Sequence, residues 1–273
     1  MENSDEKKLF HGHVAKPNLT KLEVDKMVAQ NSRLVSEIRA EQLEKDAKKY
    51  WDLFYKRNDT RFFKDRHWTT REFVELLNCG NTESGSIFEV GCGVGNLIYP
   101  LIEDGLKFKR IFACDLSPRA VDFVKSHKLY DDKIMTAFQT DITTDNCFSQ
   151  IDINVDVATL IFVLSAIHPD KFNRVVTNLF NILNHGGVVL FRDYGLYDMA
   201  QLRFKPGHKI AENFYMRQDG TRSYYFSIEE VEKIFNSIGF ETLSCSYIQR
   251  RTVNVKEKID VPRIFVQAKF KKP

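Results

Sequence analysis

The sequence has few cysteines and no long apolar run, and both absences exclude whole classes of protein. Its five cysteines in 273 residues are odd in number, lie far apart and form no Cys-x-x-Cys pair. This distribution argues against a disulfide framework or a zinc ribbon and is typical of a reducing compartment. Because no apolar run reaches the roughly 18 residues of a transmembrane helix, a membrane span is excluded. We therefore predict neither a metal centre nor a membrane partner.

The first residues lack the features of a targeting segment. Met1 to Lys8 hold three acidic side chains and no apolar stretch, which argues against a secretory signal and a mitochondrial presequence. We expect a protein of the cytoplasm, with the nucleus as a second location. With 43% hydrophobic and 28% charged residues, the composition is that of a globular chain that can bury one sizeable core or two small ones.

A large excess of charge is missing as well, since 40 basic residues face 37 acidic ones and the formal net charge is only +3. The basic and acidic residues are nevertheless unevenly distributed along the chain. Residues 1–84 hold 16 basic and 15 acidic side chains, residues 85–191 hold 9 and 12, and residues 192–273 hold 15 and 10. An acidic centre thus lies between two basic segments, and such patches attract anionic ligands whatever the total charge. Two solvated helix faces would explain the distribution equally well.

The chain divides into three regions by pattern. Residues 1–30 are interpreted as a mobile tail. Residues 31–84 form a helical region, because the stretch from about Asn18 to Lys56 has helical periodicity without Gly or Pro. Residues 85–273 alternate apolar runs with helical segments, which predicts an α/β fold with a mostly parallel sheet. Its five predicted parallel strands are Ser86–Val90, Arg110–Cys114, Lys133–Phe138, Val155–Ile161 and Gly187–Phe191.

The last third indicates two antiparallel additions to this sheet. Asp219-Gly220 separates two strand-like segments and predicts a β-hairpin, within an insertion over residues 196–226. Phe240–Arg250 and Arg263–Phe270 are predicted to pair and to close one edge of the sheet.

A glycine-rich loop, Glu89-Val-Gly91-Cys-Gly93-Val-Gly95-Asn96, follows the first predicted strand. At a strand-to-helix junction, glycines let a ligand approach the backbone and the helix N-terminus. The dinucleotide-binding fingerprint requires a glycine where Asn96 stands, which disfavours a nicotinamide-linked oxidoreductase. The spacing instead resembles the first motif of class I S-adenosylmethionine-dependent methyltransferases. A tight turn without a ligand is the alternative.

Two acidic residues strengthen this interpretation. Asp115 ends the second strand, about 20 residues after the loop, where an acid can bind both ribose hydroxyls of an adenosine. Asp141 follows the third strand, where such methyltransferases place an acid against the adenine amine. The carboxyl ends of parallel strands share one rim, at which open α/β sheets bind their ligands. Each acid alone would be an ordinary surface-loop residue.

Five longer segments are more specific than the glycine loop. They are Trp51-Asp-Leu-Phe-Tyr55-Lys-Arg57-Asn, Phe62-Phe-Lys64-Asp-Arg66-His67-Trp68-Thr-Thr, Leu160-Ile-Phe162-Val-Leu-Ser165-Ala-Ile-His168-Pro, Phe191-Arg192-Asp193-Tyr194-Gly195 and Phe214-Tyr-Met-Arg217-Gln-Asp219-Gly220-Thr-Arg222-Ser-Tyr. Together they closely resemble the eukaryotic tRNA N3-methylcytidine methyltransferases over roughly residues 30–273. Within that family they are most similar to the methyltransferase-like protein 6 branch.

The resemblance implies a class I methyltransferase with a Rossmann-like, mostly parallel seven-stranded sheet over residues 85–273. It also implies that residues 31–84 bind RNA and cover the cofactor, S-adenosylmethionine. Trp51 and Tyr55 would close over this cofactor; four residues apart, they share one helix face, although burial in the core would explain the pair too. The other residues implied to line the cofactor pocket are Gly91, Gly93, Gly95, Asp115, Asp141, Ile142 and Ile161.

The implied substrate is cytidine 32 in the anticodon loop of serine tRNAs, with seryl-tRNA synthetase as a helper. Cytosine N3 carries a free lone pair, so no general base is needed, but the base must be unpaired or flipped. Because methylation makes the ring cationic, a carboxylate or a π-face beside it would favour the transition state. Asp193 is the candidate carboxylate, with Arg192, Tyr194 and Phe162 around it. Alternatively, Asp193 forms a structural salt bridge with Arg192 or another arginine.

Basic residues on both flanks are predicted to bind tRNA phosphates, with neighbouring aromatic rings as stacking platforms. They are Arg57, Arg61, Lys64, Arg66, His67, Arg203, Lys205, Arg217 and Arg222. Some of these side chains are expected to support the fold instead. A second hypothesis keeps the fold but makes the protein a non-catalytic module that binds tRNA or the synthetase.

Overall fold

The structure, a computed structural model, describes residues 18–60, 62, 65–82, 84–254 and 259–273. Most of the predicted tail, residues 1–17, lies outside this range. The described strands are β1 (Ser86–Val90), β2 (Arg110–Asp115), β3 (Met135–Gln139), β4 (Val155–Ile161), β5 (Leu183–Tyr194), β6 (Lys209–Ala211), β7 (Phe214–Met216), β8 (Arg222–Tyr224), β9 (Glu241–Asn254) and β10 (Ile259–Lys271).

The described helices are α1 (Lys21–Gln30), α2 (Glu37–Lys45), α3 (Ala47–Asn58), α4 (Thr69–Glu72), α5 (Val74–Gly80), α6 (Ile98–Glu103), α7 (Pro118–Lys125), α8 (Phe172–Ile182), α9 (Met199–Leu202) and α10 (Ile228–Asn236). Short 3₁₀ turns occur at Leu164–Ala166 and Pro169–Lys171. Among these helices, none has the length and apolar character needed to cross a membrane.

Seven strands form one sheet in the order β3-β2-β1-β4-β5-β10-β9. Strands β1 to β5 pair in parallel, whereas β10 runs antiparallel to both β5 and β9. The predicted mostly parallel seven-stranded fold is therefore confirmed. The order of the strands along the sheet reverses direction between β1 and β4. Open α/β sheets bind ligands at such a switch point, beyond the carboxyl ends of the strands.

The sheet is covered on both faces, as its Val- and Ile-rich strands predict. Successive residues of β1 enter different cores: Phe88 packs with residues of α8 and α10 on one face, and Ile87 packs with residues of α5, α6 and α7 on the other. The sheet is therefore packed against helices on both faces, and the loops at its carboxyl rim extend from buried strands.

The N-terminal region differs from the single helical stretch predicted over 18–56. It forms three helices. Thr20 caps the start of α1 in a capping box with Glu23, and Ser36 interrupts the run by capping α2. The break between α2 and α3 falls at Asp46, which makes no side-chain capping hydrogen bond. The tail boundary at residue 30 also needs correction, since α1 lies within it. Gln30 at its end is buried and donates to the carbonyl oxygens of Gln201 and Phe204.

The predicted hairpin is confirmed in β7 and β8, which pair antiparallel around Asp219-Gly220. Gly220 has φ +84°, in the left-handed region that a glycine adopts at little cost. A Cβ there would lie 2.3 Å from the Tyr50 ring of α3. The N-terminal helices therefore pack directly on the insertion.

Candidate active site

The glycine loop takes its shape from close contacts that only glycine permits. Gly91 and Gly93 have φ +64° and +54°. A Cβ on Gly91 would lie 2.4 Å from Val163 Cγ2, and one on Gly93 would lie 2.9 Å from the Tyr55 hydroxyl. At Gly95 (φ +88°) the nearest neighbour is the Tyr99 ring at 2.4 Å. Gly95 thus makes room for a core tyrosine, whereas Gly91 and Gly93 line a cavity.

Asp115 connects the end of β2 to this loop. Its two carboxylate oxygens accept hydrogen bonds from the backbone N–H groups of Gly93 and Ser117, each at 2.9 Å. Burial raises the pKa of the Asp115 carboxyl to about 6, partly offset by these hydrogen bonds. The side chain is therefore ionised at neutral pH, fixes the glycine loop and still lines the cavity.

This cofactor cavity lies where the sheet order reverses, above β1, β2 and β4. Eight of the nine predicted cofactor residues line it: Trp51, Tyr55, Gly91, Gly93, Asp115, Asp141, Ile142 and Ile161. The Asp141 Oδ1 accepts from the Thr143 N–H at 2.9 Å and from its hydroxyl at 2.7 Å. Carboxylates at two strand ends, apolar isoleucines and open glycine backbone together suit an adenosine-containing ligand.

Helix α3 covers the glycine loop. Trp51 and Tyr55 lie on one face of α3, in an apolar cluster with Phe54, Val94 and Ala120. Between them, Asp52 Oδ1 accepts from the Ser117 hydroxyl at 2.9 Å and so ties α3 to the start of α7. Both rings thus lie beside the glycine loop and line the cofactor cavity.

Glu89, the first residue of the glycine motif, has a structural role that the sequence did not indicate. It is buried at the end of β1 and accepts from the Ile98 N–H at 3.3 Å. Burial raises the pKa of its carboxyl to about 8, so the group is mostly protonated at neutral pH. It supports the first turn of α6 beneath the loop.

Arg222 requires a correction, because it was predicted to bind tRNA phosphate. Its guanidinium is buried, pairs with Glu44 of α2 and donates to the Ala166 carbonyl at 3.3 Å. Glu44 also pairs with Lys171, and all three side chains line the cofactor cavity. Sequence patterns could not reveal this cluster, since Glu44 lies 127 residues from Lys171 and 178 from Arg222.

A second cavity, the acceptor cavity, lies on the other side of Phe162. Besides Phe162, seven aromatic residues line it: Phe54, Phe62, Trp68, Tyr194, Phe204, Tyr225 and Phe265. The basic residues in its lining are Arg66, Arg203, Lys205, His208, Arg217 and Arg263. Phe162 and Arg66 line both cavities. Phe162 has φ +59°, unusual for a bulky residue, and its N–H donates to the Arg192 carbonyl at 2.7 Å. The two cavities therefore share a wall.

Four predicted RNA-binding residues meet in the acceptor cavity: Arg66, Arg203, Lys205 and Arg217. Two other predicted RNA-binding residues do not line this cavity. His67 is exposed and pairs with Asp104 at 3.4 Å, and Arg57 is exposed on α3, where it donates to the Leu53 carbonyl. Arg61 and Lys64 lie outside the described residues. Phe265 and Arg263 were missed, because only the chain's return along β10 brings them to the cavity. Tyr225, directly after β8, was missed as well.

Asp193 and Arg192 need a second correction. Asp193 is fully buried, and its two oxygens accept from the N–H groups of Ser165 and Tyr194, each at 2.9 Å. It does not line the acceptor cavity. Arg192 points to the opposite face of β5, where it donates to Glu72 Oε2 at 2.7 Å. The alternative of a salt bridge between Asp193 and Arg192 is therefore wrong as well, since successive residues of a strand face opposite sides.

Replacing Gly91 by alanine is expected to lower the free energy of unfolding by about 2–4 kcal/mol, because the Cβ overlaps Val163 and the backbone conformation is strained. Gly105→Ala is the matched control: Gly105 has φ +87°, but a Cβ there would meet no atom within 4 Å, so about 1 kcal/mol is expected. Urea unfolding measures both. Equal losses would show that contact with Val163 is unimportant.

The strand order, the glycine loop after β1 and the acids after β2 and β3 define a class I methyltransferase. A family model described as a methyltransferase domain matches residues 56–245. Among solved structures, a SAM-dependent methyltransferase from Anabaena variabilis superposes with a TM-score of 0.58 at 14% identity, covering 83% of this chain and 95% of that one. Among the described residues, no group of three or more His, Cys, Asp or Glu could hold a metal ion.

Curated relatives identify the family. The mouse tRNA N(3)-cytidine methyltransferase METTL6 is 51% identical over 254 residues, which cover 92% of this chain and 90% of the mouse protein. The Drosophila melanogaster tRNA N(3)-methylcytidine methyltransferase Mettl2 is 42% identical over 255 residues, covering 90% and 78%. The chain belongs to the tRNA N(3)-cytidine methyltransferase family. The family predicted from the sequence segments is confirmed, and it is a family of enzymes.

Proposed function

We propose that the protein transfers a methyl group from S-adenosylmethionine to N3 of a cytidine in tRNA. The observation that carries this proposal is the shared wall of the two cavities. Phe162 and Arg66 border the cofactor cavity on one side and the aromatic, basic acceptor cavity on the other. A methyl donor in the first cavity and a base in the second would meet where the cavities adjoin at Phe162 and Arg66, so that N3 can attack the methyl carbon directly as the bond from that carbon to sulfur breaks.

Six of the predicted cofactor residues would each have a distinct role in the cofactor cavity. Asp115 would accept from the ribose hydroxyls and Asp141 from the adenine amine, while Ile142 and Ile161 would pack on the adenine. Trp51 and Tyr55 of α3 would exclude water. When bound, S-adenosylmethionine supplies an electrophilic methyl group on its sulfonium, so the protein's contribution is binding, orientation and electrostatics.

The acceptor cavity suits a flipped nucleobase. The Phe162 and Tyr194 rings lie 5.2 Å apart between centroids, with Phe265 at 5.3 Å from Phe162, and offer stacking surfaces for an unstacked base. Arg203 and Lys205 at the exposed edge would bind phosphates. Holding the nucleophile and the methyl group in line supplies about 7–11 kcal/mol of the barrier reduction.

The buried Asp193 would act through the residues it fixes. By accepting from the Ser165 and Tyr194 N–H groups, it holds both the loop after Phe162 and the Tyr194 ring. Burial raises the pKa of its carboxyl to about 6, so it is ionised at neutral pH. Its negative charge behind the aromatic wall favours the cation that forms on the methylated ring. Asp193 is thus a positioning residue with an electrostatic contribution.

The finer substrate assignment is cytidine 32 of serine tRNAs, modified in the cytoplasm or nucleus with seryl-tRNA synthetase as helper. The similarity of the chain's segments to the methyltransferase-like protein 6 branch supports it. The modest charge of the flanks supports it too, since net charges of about +1 and +5 are small for holding a whole tRNA without assistance.

This assignment can be tested with purified protein, S-adenosylmethionine and single tRNA species. We expect N3-methylcytidine in serine tRNA, detected by nucleoside mass spectrometry, to form at least about tenfold faster when seryl-tRNA synthetase is added. A synthetase for another amino acid is the control. Equal rates with and without the seryl enzyme, or equal rates on unrelated tRNAs, would refute the helper and the serine preference without refuting the N3 chemistry.

A further inference from the structure

A third cavity, the arginine cleft, also borders Phe162. Three guanidinium groups line it, from Arg71, Arg192 and Arg250, together with one carboxylate, from Glu72. Trp68, Phe162 and Phe265 line both this cleft and the acceptor cavity. The cleft is therefore continuous with the place where the acceptor base would sit.

The cleft has more positive charge than its own carboxylate can balance. The Glu72 Oε2 accepts from Arg192 at 2.7 Å and its Oε1 accepts from Arg250 at 2.6 Å, so both oxygens are engaged. Arg71 is exposed beside them. The nearby Glu75 pairs with Lys269 at 2.8 Å and so adds no free negative charge. A single carboxylate between guanidinium groups leaves an attractive field for an anion.

Arg192 is positioned as a rigid element of this cleft. Only 3% of the residue is exposed, and its guanidinium carbon lies 4.2 Å from the Trp68 ring centroid and 5.1 Å from that of Phe265. Its Nε has no hydrogen-bond acceptor within the part of the chain that the structure describes. Burying a cation with an unsatisfied donor is costly, and a bound anion would reduce that cost.

We propose that the arginine cleft binds one phosphodiester of the RNA strand, next to the nucleotide whose base enters the acceptor cavity. The inference rests on the proposed function, because the shared wall of Trp68, Phe162 and Phe265 is what brings the strand to the cleft. Guanidinium groups bind phosphate oxygens with well-defined geometry. Contacts of this kind fix the register of a strand without reading its sequence.

The test measures binding of the full-length protein to an anticodon stem–loop RNA over a range of salt concentrations. Arg71→Gln, Arg250→Gln and the double variant are compared with Lys125→Gln, which removes one charge from the exposed end of α7. We expect the double variant to bind about tenfold more weakly and its log–log salt slope to fall by about 0.7–0.9, the value for one phosphate. Lys125→Gln is expected to change neither quantity.

Calorimetric titration with S-adenosylhomocysteine and thermal unfolding accompany each variant. Unchanged cofactor affinity shows that the fold is intact; should Arg250→Gln unfold, the exposed Arg71→Gln decides, with a smaller loss of RNA affinity and slope expected. RNA binding by the double variant equal to that of Lys125→Gln would overturn the arginine cleft while leaving N3-methylcytidine formation by the wild type untouched. Conversely, a wild type that binds RNA through the cleft but forms no N3-methylcytidine would refute the proposed function alone.

Discussion

Asp115→Ala is expected to lower the affinity for S-adenosylhomocysteine at least about 100-fold, or about 2.7 kcal/mol. Two effects add. The variant loses charge-assisted acceptors for the ribose hydroxyls, worth about 1.5–3 kcal/mol each, and it releases the Gly93 and Ser117 N–H groups that shape the glycine loop. Isothermal titration calorimetry measures the change. Asp122→Ala, at an exposed position on α7, is the control and is expected to bind normally.

The same carboxylate predicts how cofactor binding depends on pH. Burial raises the pKa of Asp115 to about 6, and only the ionised form accepts from both ribose hydroxyls. Affinity is therefore full above the pKa and falls by up to about tenfold per pH unit below it. Titrations between about pH 7.5 and about pH 5 should show this fall in the wild type and in Asp122→Ala. A wild-type affinity that stays constant over that range would contradict the assignment of Asp115 to the ribose.

Asp193→Ala is expected to lower the free energy of unfolding by about 2–5 kcal/mol, because the buried Ser165 and Tyr194 N–H groups lose their acceptor. The methylation rate at saturating substrates should fall as well, since the Tyr194 wall and the loop after Phe162 are no longer fixed. Urea unfolding and single-turnover methylation measure the two effects. A large loss of rate with unchanged stability would instead support direct contact between Asp193 and the base, as the sequence predicts.

Comparing the stability of Asp193→Asn and the wild type at different pH values tests whether the buried Asp193 carboxyl titrates. The folded pKa of about 6 lies above the unfolded value of about 3.9, so the folded state binds the proton more tightly. The wild type is therefore relatively more stable below pH 4 and loses this contribution as the pH rises through 6. Asparagine does not titrate, so the stability advantage of the wild type over Asp193→Asn should be larger near pH 4 than near pH 7. An advantage that does not change with pH would contradict a buried, titrating Asp193.

The sequence predicted the parts of the fold and site that depend on local pattern. Strands β1 and β4 occur at their predicted residues, because continuous Val- and Ile-rich runs bounded by turn residues are local signals. Asp115 and Asp141 could be assigned because parallel strands bring their carboxyl ends to one rim. The lid pair Trp51 and Tyr55 came from the family resemblance, since spacing alone fits a core helix equally well.

What could not be predicted depends on the orientation of side chains and on contacts between distant segments. Asp193 and Arg192 are adjacent, and only the paired sheet decides which of them faces the acceptor side. Arg222 looked like a surface cation of a hairpin, but its partner Glu44 lies 178 residues earlier. Phe265 reaches the acceptor cavity through the antiparallel β5–β10 pairing opposite Tyr194. No local pattern encodes these contacts.

The central claim is that the two cavities, which adjoin at Phe162 and Arg66, bring the methyl donor and cytosine N3 together for direct transfer. Its most direct test is mass spectrometry of nucleosides from tRNA incubated with the protein, seryl-tRNA synthetase and S-adenosylmethionine that carries a heavy-isotope methyl group. We predict that the heavy methyl group appears in N3-methylcytidine and that Asp115→Ala abolishes the signal while Asp122→Ala preserves it. A heavy methyl group in a different nucleoside, or in none, would contradict the account.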